Sequence, residues 1–444
     1  MASFKIEKAA KPFFDFIDLA DKFIQTQPVY YSPEKIWWLW NFETHSWAMV
    51  DEIDLLNELN EVSENLRCYE SKTKTELINA LKMRARLNKP KDAEKSWIQF
   101  NGTVFDIKTS KSFKATPEYF IKNPIPFEIG ETEETPEIDK IFSEWVDPEY
   151  VPCLFEILAF CCLPDYPIHR AFCLNGEGRN GKSSYIKILT KFVGKHNTCT
   201  TDIETLLTSR FETGKLYGKL VCLMGEINST IFKRTNILKK LVGEDQIGFE
   251  IKQKNPFDDW NTAKLLIATN KLPETTDKTK GFYSKWVVID FPNSFEENTK
   301  LLERIPKHEY NNLAKKCLRI LKGLLDSSKF TKEGDAEEKQ ERYEERASPF
   351  REFFREFCEE DETARIPFWK VHISYSSFCE ERGYRKPTKN ETSRYIRAKG
   401  FEKKTIPYEK ATGEKSSMVH FQGFWLRESK EEDEQIVEKG GLDY

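Results

Sequence analysis

Apolar and polar positions divide the chain into blocks of different period. Trp37-Trp38-Leu39-Trp40-Asn41 with Trp47 predicts a strand–turn–strand unit. Residues 51–88 carry a helical pattern. Trp97-Ile98-Gln99-Phe100-Asn101-Gly102-Thr103-Val104-Phe105-Asp106 predicts a hairpin turning at Asn101-Gly102. Aromatics this dense predict core, with stacking on bases the lesser reading. Pro124 to Pro136, rich in Pro and Glu, predicts a linker, and residues 137–168 predict helices.

From Ala171 to about residue 295 the pattern changes. Short apolar runs, Ala171-Phe172-Cys173-Leu174, Lys219–Met224 and Ala263–Ala268, alternate with helical stretches. Continuous apolar strands between helices predict a parallel sheet covered on both faces. Leu301–Leu325 predicts a helix, 331–348 an exposed Glu/Lys connector, and Pro349–Arg427 a small basic unit. The tail from Ser429 predicts disorder. The expected division is an N-terminal Trp-rich domain over 1–136, a motor core over 137–330, a C-terminal domain over 349–428 and a tail over 429–444.

Composition bounds the chemistry. A chain of 444 residues accommodates two to four domains, and 39% hydrophobic content supports real cores. The net charge of −4 gives no global basic field, so any nucleic-acid contact must be local. Ten scattered cysteines, none in a Cys-x-x-Cys pair, argue against a zinc ribbon and fit reduced cytoplasmic thiols. No signal peptide and no run of 18 apolar residues is present, which predicts a protein of the cytoplasm, prokaryotic or of a virus-infected host, and no membrane partner.

The most informative octet is Gly176-Glu-Gly178-Arg-Asn180-Gly181-Lys182-Ser183, a Gly-x4-Gly-Lys-Ser phosphate-binding loop. It follows a predicted strand and opens a predicted helix, so glycine-permitted turns and a helix N-terminus aim backbone N–H groups at phosphate oxygens. Gly176, Gly178, Asn180, Gly181, Lys182, Ser183 and Ser184 are the candidate ATP-binding residues. Lys182 reaches the β- and γ-phosphates, and the Ser183 hydroxyl holds Mg²⁺. Glu226 ends the next apolar strand, placed to activate water and to support the metal. Asn270 ends the one after, where its amide can hold the attacking water or the γ-phosphate. Phe249-Glu250-Ile251 and the residues after it predict a hairpin with Lys252 and Lys254 at its tip.

Loop, acid, lysine-tipped hairpin and asparagine in that order resemble a superfamily 3 helicase, a hexameric AAA+ motor of viruses and plasmids. The nearer resemblance is to the helicase part of phage, plasmid and poxvirus primase-helicases. It rests on the loop, Arg210-Phe211, Leu216-x-Gly218-Lys219, Lys240-Leu241-x-Gly243-x-Asp245, Ala263-Lys264-Leu265, Thr269-Asn270-x-x-Pro273 and Asp290-Phe291-Pro292-Asn293-x-Phe295. It implies an AAA+ P-loop NTPase core of α/β class, a mixed α/β N-terminal domain and a C-terminal winged helix. It implies ATP and Mg²⁺ as cofactors, single-stranded and forked DNA as partners, a homo-hexamer and DNA unwinding. The alternative is an AAA+ ATPase that remodels DNA or protein without unwinding. By the resemblance Lys252 and Lys254 grip the strand backbone in a central pore. The winged helix agrees with the capping box Thr388-x-x-Glu391, which opens a helix carrying Lys389, Arg394, Arg397 and Lys399. Phe401–Tyr408 and Ser417–Leu426 pair as a wing around Gly413. Two departures stand out. Gly225 precedes Glu226 where the family often has a second acid. Lys285 stands where the family has an arginine that reaches into a neighbour's ATP. No paired metal-binding acids of a primase occur before residue 145, so the chain is expected to be either a stand-alone helicase, with a separate primase as a candidate partner, or the helicase part of something longer.

Overall fold

The computed structural model describes residues 15–62, 71–225, 231–232, 235–243, 245–296, 300–382, 384–409 and 415–427. Two compact units emerge. The first comprises Met1–Asn228, Arg234–Asn270 and Ser284–Glu333, and the second Ser229–Lys233, Lys271–Tyr283 and Gly334–Tyr444.

The first unit begins with helix α1 (Phe16–Thr26) and an antiparallel sheet of β1 (Val29–Tyr31), β2 (Trp37–Asn41) and β3 (Ser46–Val50). Helices α2 (Glu52–Val62) and α3 (Ser71–Leu87) follow in the stretch read as helical. The tryptophans are core: Trp37, Trp38, Trp40 and Trp47 are all buried. The predicted hairpin is present as β4 (Trp97–Phe100) and β5 (Thr103–Asp106), with Asn101 taking the left-handed turn at φ 49°. A third strand, β6 (Lys111–Lys114), completes that sheet.

The stretch from Pro124 to Pro136 is packed rather than a loose linker. Ile125 and Phe127 are buried, and the Phe127 ring stacks on Tyr310 at 4.9 Å. The Gly130 N–H donates to Asn311 O at 2.9 Å, and a Cβ there would lie 2.4 Å from Asn312 Oδ1. Proline and glutamate suggested solvent, but the two apolar residues between them decide the outcome.

Helices α4 (Pro136–Trp145) and α5 (Val151–Cys162) lead into a five-stranded parallel sheet. Its strands are β7 (Ala171–Asn175), β8 (Thr198–Thr201), β9 (Val221–Met224), β10 (Lys264–Thr269) and β11 (Trp286–Asp290), in spatial order β8-β9-β10-β7-β11. The strands β7 and β9 are buried along their whole length, as the continuous apolar runs predicted. Helix α6 (Lys182–Val193) follows β7, and α7 (Lys307–Ser327) closes the unit's helical part. Between β9 and β10 an antiparallel hairpin pairs Gln246–Phe249 with Phe257–Trp260, as its alternation predicted.

In the second unit residues 336–347 correct the sequence reading. They form helix α8 (Ala336–Ala347), capped by an Asp335/Glu338 capping box, instead of an exposed connector. Lys339, Tyr343 and Ala347 recur every four residues and bury one face. Helix α9 (Phe350–Phe357), strand β12 (Cys358–Pro367), helices α10 (Phe368–Glu381) and α11 (Lys389–Ala398), and strands β13 (Glu402–Glu409) and β14 (Lys415–Leu426) complete it. The expected capping box at Thr388/Glu391 is made on both sides. The two expected wing strands pair, with Phe401 just outside, while Gly413 lies outside the described residues. The acidic β12 also joins the sheet, against β14. Phe350, Phe353, Phe354, Tyr375, Phe421 and Phe424 build the core.

One buried charge interrupts the parallel sheet. Lys264 of β10 is fully buried, donates to Leu163 O and lies 5.0 Å from the Phe160 ring. Burial pushes its ammonium down to about 8 from 10.5. Between those pH values the unfolded chain holds a proton that the native chain has released, so this group's contribution to stability rises with pH. We expect the stability of the wild type relative to Lys264→Met to grow across that window by up to about 3 kcal/mol. Urea denaturation of both proteins at about pH 7.5 and about pH 10 checks it; a pH-independent difference would return Lys264 to an ordinary pKa.

Candidate nucleotide site

Strand β7 ends at Asn175, and the six residues before α6 form a tight loop. Two glycines make the turn possible. A Cβ on Gly176 would lie 2.0 Å from Asn180 Nδ2 and 2.6 Å from Phe291 O. Gly181 has φ 98°, and a Cβ there would meet the Trp145 ring at 2.6 Å. Arg179 also takes the left-handed region, at φ 62°. Left-handed residues alternating with ordinary ones turn successive N–H groups to one side, forming an anion-binding concavity. Helix α6 begins at Gly181 with no side-chain cap, so its first N–H groups are not taken by a capping oxygen.

Lys182 is buried, and its ammonium donates to Gly176 O, to Glu177 O at 3.2 Å, to Asn180 Oδ1 at 3.1 Å and to Asn270 Oδ1 at 3.2 Å. The structure thus brings Lys182, Asn180 and Asn270 together. Asn270 reaches the loop because β10 lies beside β7, and Gly176 N–H donates to Thr269 O at 3.3 Å. Ser183 and Gly178 are exposed and Ser184 is half-buried. Nothing lies within 4 Å of a Cβ built on Gly178. From β7 the chain crosses to β8 at one edge of the sheet, and from β10 it crosses past β7 to β11 at the other. The loop therefore sits at the carboxyl end of the sheet where the connections diverge, the position at which doubly wound sheets bind ligands.

Glu226 lies outside the described residues, two positions beyond the end of β9. Lys285 precedes β11, and its carbonyl accepts from Ala171 N–H at 2.6 Å. It therefore stands at the amino end of the sheet, about 16 Å of strand away from the loop of its own chain. The structure does not bring it to Lys182 within one subunit.

Of the candidate DNA contacts, Lys252 is exposed and Lys254 half-buried on the turn that joins the hairpin strands. That turn has Gln253 at φ 64° and is tied by Asn255 N–H to Glu34 O at 3.1 Å. On α11, Lys389 and Arg397 are exposed. Arg394 is half-buried, and its guanidinium pairs with Glu344 of α8 at 2.7 Å. Residue type marked it as a contact, but its place opposite an acid on α8 was not visible in the chain.

Three features had been missed. The Trp145 indole covers Gly181, Asn175 donates from Nδ2 to Asp290 Oδ1 at 2.7 Å, and Phe291 O accepts from Asn180 Nδ2 at 3.1 Å. The run Asp290-Phe291-Pro292-Asn293 was a signal for the last two, though it carried no chemistry of its own.

Among the described residues no group of three His, Cys, Asp or Glu could hold a metal ion. No helix among them is long and apolar enough to cross a membrane.

Comparison with known proteins gives three family matches. Residues 19–147 match a family described as D5 N terminal like, and residues 349–424 one described as Poxvirus D5 protein-like. Residues 174–281 match a family of unknown function, DUF5906. D5-type sequence therefore flanks the parallel sheet on both sides. No curated protein matches the chain. An apo, A-form structure of the NrS-1 C terminal region is similar in fold, with 13% identity, TM-score 0.50, and coverage of 92% of this chain and 100% of that one. A second apo structure of that region has 14% identity, coverage of 93% and 99%, and TM-score 0.47.

The contact between Gly181 and Trp145 gives a stability test. Gly181→Ala should cost about 2–4 kcal/mol, combining a left-handed alanine with a clash. In a double-mutant cycle with Trp145→Ala the two costs should fall short of additivity by about 1 kcal/mol or more. Strict additivity in thermal or urea unfolding would mean that the ring does not cover the loop.

Proposed function

We propose that this protein is an ATP-dependent, ring-forming DNA helicase that serves the replication of a virus, plasmid or integrated mobile element. The observation that carries the reading is the convergence of Lys182 and Asn270 on a glycine-built loop at the carboxyl end of a parallel sheet. The D5-type matches at both ends support a replication role. In this reading the sheet is an AAA+ core and the second unit contains a winged helix.

The residues present fit a nucleoside triphosphate with Mg²⁺. An ammonium held by neutral oxygens, an uncapped helix start and an exposed serine are the donor set that a polyphosphate with its metal requires. Bound Mg²⁺ would neutralise charge on the β- and γ-phosphates, with Ser183 as the protein ligand and waters completing the shell. Lys182 would exchange its carbonyl partners for phosphate oxygens. Asn270, one hydrogen bond from Lys182, is placed to orient the attacking water, and Glu226 is assigned to deprotonate it. Lys285 cannot serve the loop of its own chain, which makes a ring the natural assembly: the ammonium of one subunit would face the γ-phosphate of the next.

The hairpin lysines would grip single-stranded DNA in the ring, while Lys389 and Arg397 contact the duplex at a fork. The decisive experiment is ATP-driven unwinding of a forked duplex by wild type and Lys182→Ala. Wild type should unwind, and Lys182→Ala should lose nucleotide affinity roughly a hundredfold, the worth of two charge-assisted hydrogen bonds. DNA-stimulated ATPase without unwinding would select the remodelling alternative. Lys252→Ala with Lys254→Ala should reduce the salt slope of single-strand binding by about 0.7 per lost phosphate contact. An unchanged slope would move the strand path elsewhere.

Lys285 has its own test. Lys285→Ala should slow turnover in the assembled protein while leaving nucleotide affinity near wild type, and Lys285→Arg should preserve or raise the rate. Mixing Lys285→Ala with Lys182→Ala subunits should restore part of the activity, since each supplies what the other lacks. Full turnover by Lys285→Ala under assembling conditions would remove it from the site.

A further inference from the structure

Five hydrogen bonds join the segment 290–295 to the phosphate loop and its surroundings. Asn175 Nδ2 donates to Asp290 Oδ1 at 2.7 Å, and Phe291 N–H donates to Asn175 O at 2.8 Å. Asn180 Nδ2 donates to Phe291 O at 3.1 Å. Phe295 N–H donates to Arg179 O at 2.8 Å, and Asn293 Nδ2 to Glu144 O at 2.8 Å. The segment crosses the loop as a strap.

Asn180 is the junction. It is 4% exposed, and both ends of its amide are engaged inside the protein. The nitrogen holds the strap and the oxygen accepts from Lys182 Nζ. One of the amide's two N–H groups and its oxygen are thus committed to holding the loop and Lys182. Gly176 fits the same account. The atoms that a Cβ on Gly176 would strike are Asn180 Nδ2 and Phe291 O, the two partners of the strap bond. The glycine at the first motif position is therefore required by the strap as much as by the ligand.

Asn175 points the same way. It is fully buried, its donor goes to Asp290, and its Oδ1 has no partner. A buried carbonyl left unmade costs about 1–3 kcal/mol. Its donor fixes the carboxylate at the start of the strap.

We propose that Asn180 and Asp290 are positioning residues: Asp290 through Asn175, and Asn180 directly, hold the phosphate loop and the Lys182 ammonium in their phosphate-ready arrangement. The assignment deepens the proposed ATPase reading and rests on it. It gives Asn180 a positioning role beside its sequence-based place among the nucleotide ligands.

Two measurements test it on the full chain. Without nucleotide, hydrogen–deuterium exchange of the amides of Phe291 and Phe295 should be faster in Asn180→Ala and Asp290→Ala than in wild type. Fluorescent ATP-analogue binding with steady-state ATPase should show Asn180→Ala and Asp290→Ala raising Kd and KM by about tenfold, the worth of roughly one hydrogen bond. Their kcat at saturation should stay within about threefold, since positioning is restored by bound ligand. Asp290→Asn keeps an oxygen for Asn175 Nδ2 and should rescue both readouts. Asn180→Asp keeps the oxygen for Lys182 but loses the strap donor, so exchange should quicken. Wild-type affinity and wild-type exchange in Asn180→Ala would overturn the proposal. A large kcat loss in Asp290→Asn with a shifted Mg²⁺ dependence would also overturn it, placing Asp290 on the metal. If wild type binds no ATP, the ATPase reading fails, while the exchange arm still judges the strap.

Discussion

The ammonium of Lys182 is the constraint on which the site depends. A positive charge buried beneath a loop is costly unless it is surrounded by acceptors. Here four oxygens from two parts of the chain supply them: two loop carbonyls and Asn180 from the loop itself, and Asn270 from the end of β10. For those oxygens to converge, β10 must lie beside β7 and the loop must turn back over its own helix. The turn needs positive φ at Arg179 and Gly181 and no Cβ at Gly176. The order of the sheet and the glycines of the loop are two consequences of one electrostatic requirement.

The surroundings of the loop are held as firmly as the loop itself. Trp145 closes the helix start from one side and the 290–295 segment from another. Trp145 ends α4, and Phe291 follows the edge strand β11. Elements more than a hundred residues apart therefore meet on a span of six. A rigid support of this kind suits electrostatic work on phosphate, because donors fixed beforehand need no reorganisation when charge develops.

The second unit shows how composition misleads where packing decides. Residues 331–348 are dense in Glu and Lys, yet α8 buries Tyr343 completely and places Glu344 beside Arg394. That ion pair ties an arginine on a helix of otherwise exposed basic residues to α8, while Lys389 and Arg397 of the same helix are exposed.

Much of this protein was legible in the chain. The parallel sheet followed from apolar strands between helices, because a strand covered on both faces has no polar side to show. The N-terminal hairpin followed from Asn101-Gly102, and the phosphate loop from its glycines, of which Gly181 takes a left-handed conformation and Gly176 leaves no room for a Cβ. The capping box at Thr388/Glu391 is local chemistry that reads the same in a peptide as in a fold. What the tertiary structure decided was everything that depends on neighbours distant in sequence. It set Asn270 against Lys182, laid 124–136 along α7, tied Asn180 to Phe291 and Arg394 to Glu344, and put Lys285 at the far end of the sheet from its own loop. A local signal records the backbone conformation a residue favours; it carries no record of the side chain that will stand opposite once the strands are ordered.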